Sequence, residues 1–142
     1  MKVRTDFVTN SSSSSYVIAY RSLPEFDEET LGKYPFLKNY GQLIEKVLFT
    51  EGDNDTTEGE VARTKEEYDK LFVGNYGWRQ TTVEEIIADD KYLAERYKKA
   101  IEYLDKGFNI LFKNVDYNDE YCVNMLRELA NDTDNFVILE DE

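Results

Sequence analysis

Apolar residues occur along this chain in short continuous runs and in longer runs with helical spacing. The run at residues 16–20 is β-branched and aromatic, which predicts a buried strand. Similar runs at residues 108–112 and 136–139 predict two further strands. Residues 7–8 predict one shorter extended piece. These segments together indicate a small sheet.

Apolar positions spaced three and four residues apart predict the helices. Thr64 with Glu67, and Thr82 with Glu85, have the spacing of a capping box, which marks a helix start. The segment 42–49 ends like a strand, but its periodicity favours a helix. The predicted helices are 27–33, 42–49, 64–73, 82–104 with a break near Asp89 and Asp90, and 120–130.

The C-terminal segment has the order strand, helix, strand. This order predicts a right-handed βαβ crossover in which the two strands are parallel and adjacent or nearly so. With the strand at 16–20, we expect an α/β (or α+β) fold with a small, mostly three-stranded sheet and helices packed on it. The length of 142 residues predicts a single domain, 1–142. Residues 1–22 form a Ser-rich N-terminal segment, whose serines 11–15 are either a flexible hinge or the beginning of the strand.

The charge of the chain narrows its range of partners. Thirty acidic and 17 basic side chains give a net charge of −13, which opposes direct binding to duplex nucleic acid and favours a protein partner or a cation. No run approaches the roughly 20 apolar residues that span a bilayer, and no signal peptide is recognisable. We therefore expect no membrane partner and a cytoplasmic location.

The chain contains no histidine and a single cysteine, Cys122. Ser-His-Asp, Cys-His and His-metal chemistries are therefore excluded, as is an internal disulfide. No glycine-rich nucleotide-binding motif occurs. We expect no catalytic residue, no cofactor and no metal site, and we favour a protein that is not an enzyme. Cys122 is interpreted as a buried structural thiol rather than a nucleophile.

One loop carries the residue types typical of binding hot spots. The segment 74–80 combines Tyr76, Trp78 and Arg79 with two glycines. Tryptophan, tyrosine and arginine dominate the energetics of many interfaces, so this loop is a candidate partner-binding surface. The alternative is that Trp78 caps the hydrophobic core.

Two acidic segments are further candidates. Asp53, Asp55 and Glu58 lie in a segment, 51–60, that reads as a solvated loop, an acidic partner-binding patch or a cation site. Its fit to an EF-hand loop fails because Glu58 stands where glycine is required, and the twelfth position holds threonine instead of glutamate.

The second acidic segment, a turn at 116–119, follows a predicted parallel strand, a usual place for ligands in α/β sheets. Asp116 and Asp119 are therefore the alternative ligand site. A simpler role for Asp119 is to cap the following helix.

The opening of the chain resembles a known but functionally unassigned segment. Residues 2–16 match the pattern K-x-[RK]-x-x-F-V-T-N-S-S-S-S-S-[FY]. This pattern recurs at the N-terminus of uncharacterised bacterial and phage-encoded proteins whose remaining sequences differ. The resemblance implies a phage or mobile-element setting and supplies no catalytic residue.

These observations favour a non-enzymatic protein-interaction or regulatory module, such as a phage-type inhibitor or nucleic-acid mimic. The alternative is a small ligand- or cation-binding α/β domain, or an enzyme that uses carboxylates at the C-terminal strand edge. A homo-oligomer that associates through some of its 11 tyrosines is a third alternative.

Overall fold

The computed structural model describes residues 13–21, 27–35, 38, 46, 48–52 and 55–141. The extended piece predicted at 7–8, serines 11 and 12 and most of the helix predicted at 42–49 lie outside these residues. The elements are β1 (Ser13–Tyr20), α1 (Glu28–Lys33), β2 (Glu60–Ala62), α2 (Lys65–Tyr76), α3 (Val83–Asp89), α4 (Lys91–Asp105), β3 (Asn109–Asp116), α5 (Glu120–Asp132) and β4 (Phe136–Asp141).

Side chains at the helix starts explain where the helices begin. Thr64 and Thr82 accept the backbone N–H of the residue three positions on, which confirms the predicted caps of α2 and α3. Asp90 accepts the N–H groups of Tyr92 and Leu93, so it caps α4 directly after α3 ends. The predicted break near residues 89 and 90 is therefore present.

The predicted α/β fold class is confirmed, but the sheet differs from the prediction in its strands. It has four strands in the order β2-β3-β1-β4, and every neighbouring pair is antiparallel. The predicted three-stranded sheet lacked β2, which begins at Glu60, the last residue of the segment predicted as a solvated loop. β3 and β4 run in the same direction on either side of β1, so the C-terminal unit is a split β-α-β arrangement without adjacent parallel strands.

Helices cover both faces of the sheet. Against α2, α3 and α4 the sheet packs Val17, Ala19, Ile110 and Phe112, and against α5 it packs Tyr16, Ile18, Leu111 and Val115. This alternation along β1 and β3 is the period of a strand with both faces buried. Among the described residues, no helix has the length and apolar character needed to cross a membrane.

A β-bulge interrupts the pairing of β4 with β1. Ile18 pairs with Ile138 and Val17 pairs with Glu140, so Leu139 is an additional residue in β4. Without the bulge, the period of two would place Glu140 on the α5 face with Phe136 and Ile138. The bulge instead pairs Glu140 with Val17, which packs on the α2–α4 face.

Candidate functional site

The loop between α2 and α3 presents the only tryptophan of the chain. We call residues 77–82 the Trp78 loop. The Trp78 side chain is 79% exposed and Arg79 is also exposed, so the interpretation of Trp78 as a cap on the core is wrong. On the neighbouring junction of α3 and α4, Tyr92 is 77% exposed. Both exposed aromatic side chains lie on the helices and loops of one face of the sheet.

Backbone contacts fix the start of the Trp78 loop. The N–H of Gly77 donates to the carbonyl of Val73 at 2.8 Å. A Cβ on Gly77 would lie 2.6 Å from that carbonyl oxygen and 2.7 Å from the carbonyl oxygen of Gln80. The close approach of these three backbone segments therefore requires glycine at this position.

Side-chain hydrogen bonds fix the end of the same loop. Gln80 Nε2 donates to Asp89 Oδ2 at 2.9 Å, which ties the loop to the last residue of α3. The Glu85 carboxylate accepts the N–H of Thr81 at 3.2 Å and the hydroxyl of Thr82 at 3.1 Å. These bonds, that of the Thr81 N–H first, hold the pKa of Glu85 below its ordinary value. Trp78 is thus exposed on a loop that is fixed at both ends.

Tyr76 lies in a helix, unlike Trp78 and Arg79, the other two candidate residues of this segment. The helix α2 continues through residues 74–76, which were predicted as loop, and Tyr76 is its last residue. The Tyr76 hydroxyl donates to Glu140 Oε1 at 2.7 Å. Burial, and then the charge of Glu140, raise the pKa of Tyr76 well above its usual value.

Glu140 links α2, α4 and the sheet. Its side chain is 3% exposed, and Arg96 Nη1 lies 3.2 Å from the same Oε1 that accepts from Tyr76. Burying a carboxylate is costly unless it is paired and hydrogen-bonded, and Oε1 of Glu140 meets both conditions. The pair anchors the end of α2, directly before the Trp78 loop, to β4. Neither Arg96 nor Glu140 was a sequence candidate, because the bulge that turns Glu140 inward leaves no mark in the apolar pattern.

An open groove of about 600 Å³ adjoins the Trp78 loop. It lies between α2 and the start of α3 and shares Thr81 and Thr82 with the loop. Apolar side chains at the groove are Val73 and Val83, and acidic ones are Glu66, Glu67, Asp69 and Glu84. Lys70 is the one cation in this lining, so the groove is mainly acidic.

The structure brings the two predicted acidic sites together at one end of the sheet. The N–H of Asp55 donates to Asp116 Oδ2 at 3.2 Å, and the N–H of Asp116 donates to Thr56 Oγ1 at 2.9 Å. Asp55 and Glu58 are exposed there, whereas Asp116 is buried. Asp53 lies outside the described residues.

Asp116 and Asp119 have structural partners in this arrangement. Asp116 Oδ1 accepts the N–H of Asn118 at 2.8 Å, and Asp119 Oδ1 accepts the N–H of Cys122 at 3.2 Å, which caps α5. Within the described part of the chain, no group of three or more histidine, cysteine, aspartate or glutamate residues is arranged to hold a metal ion.

Lys113 is a buried cation that the sequence analysis did not single out. It is 3% exposed, and its Nζ donates to the carbonyl of Thr50 at 3.0 Å and to that of Thr57. Burial lowers the pKa of Lys113, and burial raises the pKa of the nearby Cys122 thiol to about 11. Lys113 therefore fastens the acidic loop to β3, and Cys122 is a buried thiol.

Comparison of the chain with protein-family models, with curated proteins and with solved structures finds no match.

Proposed function

We propose that this chain is a non-enzymatic protein-interaction module that binds its partner through the Trp78 loop. The observation that carries the proposal is a tryptophan 79% exposed on a loop held at both ends. A loop whose two ends are already fixed loses little backbone entropy when a partner covers it. Tryptophan and arginine are also the residue types most enriched at binding hot spots, and here Arg79 follows Trp78 directly.

The surroundings of the loop favour a basic partner. Four carboxylates line the adjoining groove, and the chain carries a net charge of −13. A partner that presents lysine or arginine gains from this field, and its cation can also contact the face of Trp78. Binding to such a partner weakens as salt screens the charges.

The engagement of the other polar clusters supports an interaction role over a catalytic one. Asp116, Asp119 and Lys113 hold residues 50 and 55–57 and the start of α5 in place through hydrogen bonds. Asp116 and Asp119, the alternative ligand site, thus have a structural explanation. A phage or mobile-element setting rests on the N-terminal resemblance alone and would suit a short acidic regulator.

Affinity capture with matched variants tests this function. Immobilised wild-type protein, Trp78→Ala and Tyr117→Ala are incubated with lysate of the organism that carries the gene, at low and at moderate salt. Tyr117 is the control because it is also exposed, at 59%, but lies beyond the end of β3.

Proteins retained by wild type and by Tyr117→Ala should be lost with Trp78→Ala, since truncating a hot spot costs at least about 2 kcal/mol, roughly 30-fold in affinity. Equal retention by all three, or no retention above background at either salt, would refute the proposal.

A further inference from the structure

The bulge at the end of β4 leaves one residue more in β4 than in β1. Ile138 lies opposite Ile18, and Glu140 lies opposite Val17. Leu139 is the additional residue between them. Among the strands that the structure describes, β1 is the one neighbour of β4, so a shift by one residue after Ile138 would change a single ladder.

A regular ladder without the bulge agrees with the apolar pattern of this segment. It would place Leu139 opposite Val17 and Glu140 opposite Tyr16. Leu139 already packs, like Val17, on the α2–α4 face, so the shift keeps this apolar side chain on the same face of the sheet. Glu140 would move to the α5 face, where Arg127 lies beside the Tyr16 hydroxyl.

The shift exchanges one carboxylate for another on the α5 face. In the structure Asp141 lies opposite Tyr16, and its charge acts on the Tyr16 hydroxyl. After the shift Glu140 takes that place, and Asp141 moves on to lie opposite Ser15. The number of charges beside Arg127 is therefore the same in both registers.

The two registers differ in what they do with the Glu140 carboxylate. The bulged register buries the side chain to 3% exposure and offsets the cost with Tyr76 at 2.7 Å and Arg96 at 3.2 Å. The regular register removes this carboxylate from Tyr76 and Arg96, but it moves Glu140 to a place where Asp141 is now exposed, and it adds one ladder pair. A buried ion pair often only balances its own desolvation, so the two registers lie close in free energy.

We propose that the end of β4 is a two-state register switch that controls the order of the Trp78 loop. In the bulged register, Glu140 holds Tyr76, the last residue of α2, directly before the loop. In the regular register this contact is absent, and the loop keeps its bonds to α2 and α3 alone. A partner that binds the fixed loop would favour the bulged register. This last step rests on the proposed function, whereas the switch itself does not.

Nitrogen-15 relaxation dispersion on the free protein tests the switch. The method detects a minor state of about 0.1–10% that exchanges within microseconds to milliseconds. We expect exchange at the amides of Val17, Leu139 and Glu140. The amides of Gly77 and Trp78 should show the same rate constant, because one event changes both regions. Flat profiles at these amides, or unrelated rate constants in the two regions, would overturn the proposal.

Two variants move the populations in opposite directions. Tyr76→Phe removes a donor that Glu140 has in the bulged register only, so the minor population should rise at least about tenfold. Deletion of Leu139 gives a regular ladder with Glu140 still opposite Val17, so the exchange should disappear. Tyr92→Phe, which removes an exposed hydroxyl, is the control and should leave the populations unchanged.

The outcomes separate the switch from the proposed function. Exchange that persists after deletion of Leu139, or a minor population that Tyr76→Phe does not raise, would overturn the switch. Flat dispersion together with capture that depends on Trp78 would overturn the switch and leave the function in place. Exchange together with capture that does not depend on Trp78 would support the switch and refute the function.

Discussion

Replacing Tyr76 with phenylalanine isolates the contact that anchors the Trp78 loop to the sheet. The change removes one hydroxyl and keeps the ring, which packs on Phe72 and Phe112 with centroids 4.9 and 6.3 Å away. No cavity forms in the aromatic cluster. Glu140 loses the donor at 2.7 Å and keeps Arg96 at 3.2 Å.

The structure sets the size of the expected effect. A hydrogen bond to a charged group contributes about 1.5–3 kcal/mol, and this acceptor belongs to a side chain only 3% exposed. Water therefore does not readily replace the lost donor. We expect Tyr76→Phe to lower the free energy of unfolding by about 2 kcal/mol.

Urea denaturation followed by circular dichroism measures this difference. Tyr92→Phe removes the same hydroxyl from a side chain that is 77% exposed, and it should lie within about 0.5 kcal/mol of wild type. If Tyr76→Phe also lies within that range, Glu140 does not hold the end of α2, and the anchoring argument fails.

Three further predictions concern buried groups. Burial raises the pKa values of Tyr68 and Tyr76 far above 10, so near about pH 10 these two side chains ionise only in the unfolded chain, and their contribution to stability should be constant below that pH. That contribution should fall above about pH 10, by about 1.4 kcal/mol per tyrosine at about pH 11. Equal urea midpoints at about pH 9 and 11 would contradict this expectation. Asp119→Ala should cost about 1 kcal/mol in urea denaturation through loss of the α5 cap, and Asp119→Asn much less; equal losses would argue against capping. Cys122, with a pKa of about 11, should react with a thiol reagent only as fast as the protein opens, and immediate labelling of the native protein would show that it is accessible.

Local patterns in the sequence predicted the elements that have a strong local signal. The strands at 16–20, 108–112 and 136–139 and the caps Thr64 and Thr82 are present. β2 was not predicted, because it has only three residues and one buried side chain, Ala62, so its sequence shows no alternation of apolar and polar positions. The position of β1 between β3 and β4 depends on long-range pairing, which apolar periodicity does not encode.

The candidate site was predictable in part. Residue type alone pointed to Trp78 and Arg79, and the structure places both at the surface. The buried pair of Arg96 and Glu140 was not predictable, because Glu140 turns inward through a bulge and Arg96 lies among the charged residues of α4. Lys113 was equally hidden, since a lysine directly after an apolar run usually marks the end of a strand.

Trp78 is the only tryptophan, so its fluorescence reports directly on the central claim. A side chain that is 79% exposed should emit at nearly the wavelength of the urea-unfolded chain and should be quenched by acrylamide almost as efficiently. Emission clearly shifted to shorter wavelength in the native protein, together with protection from acrylamide, would place Trp78 in the core and contradict the account.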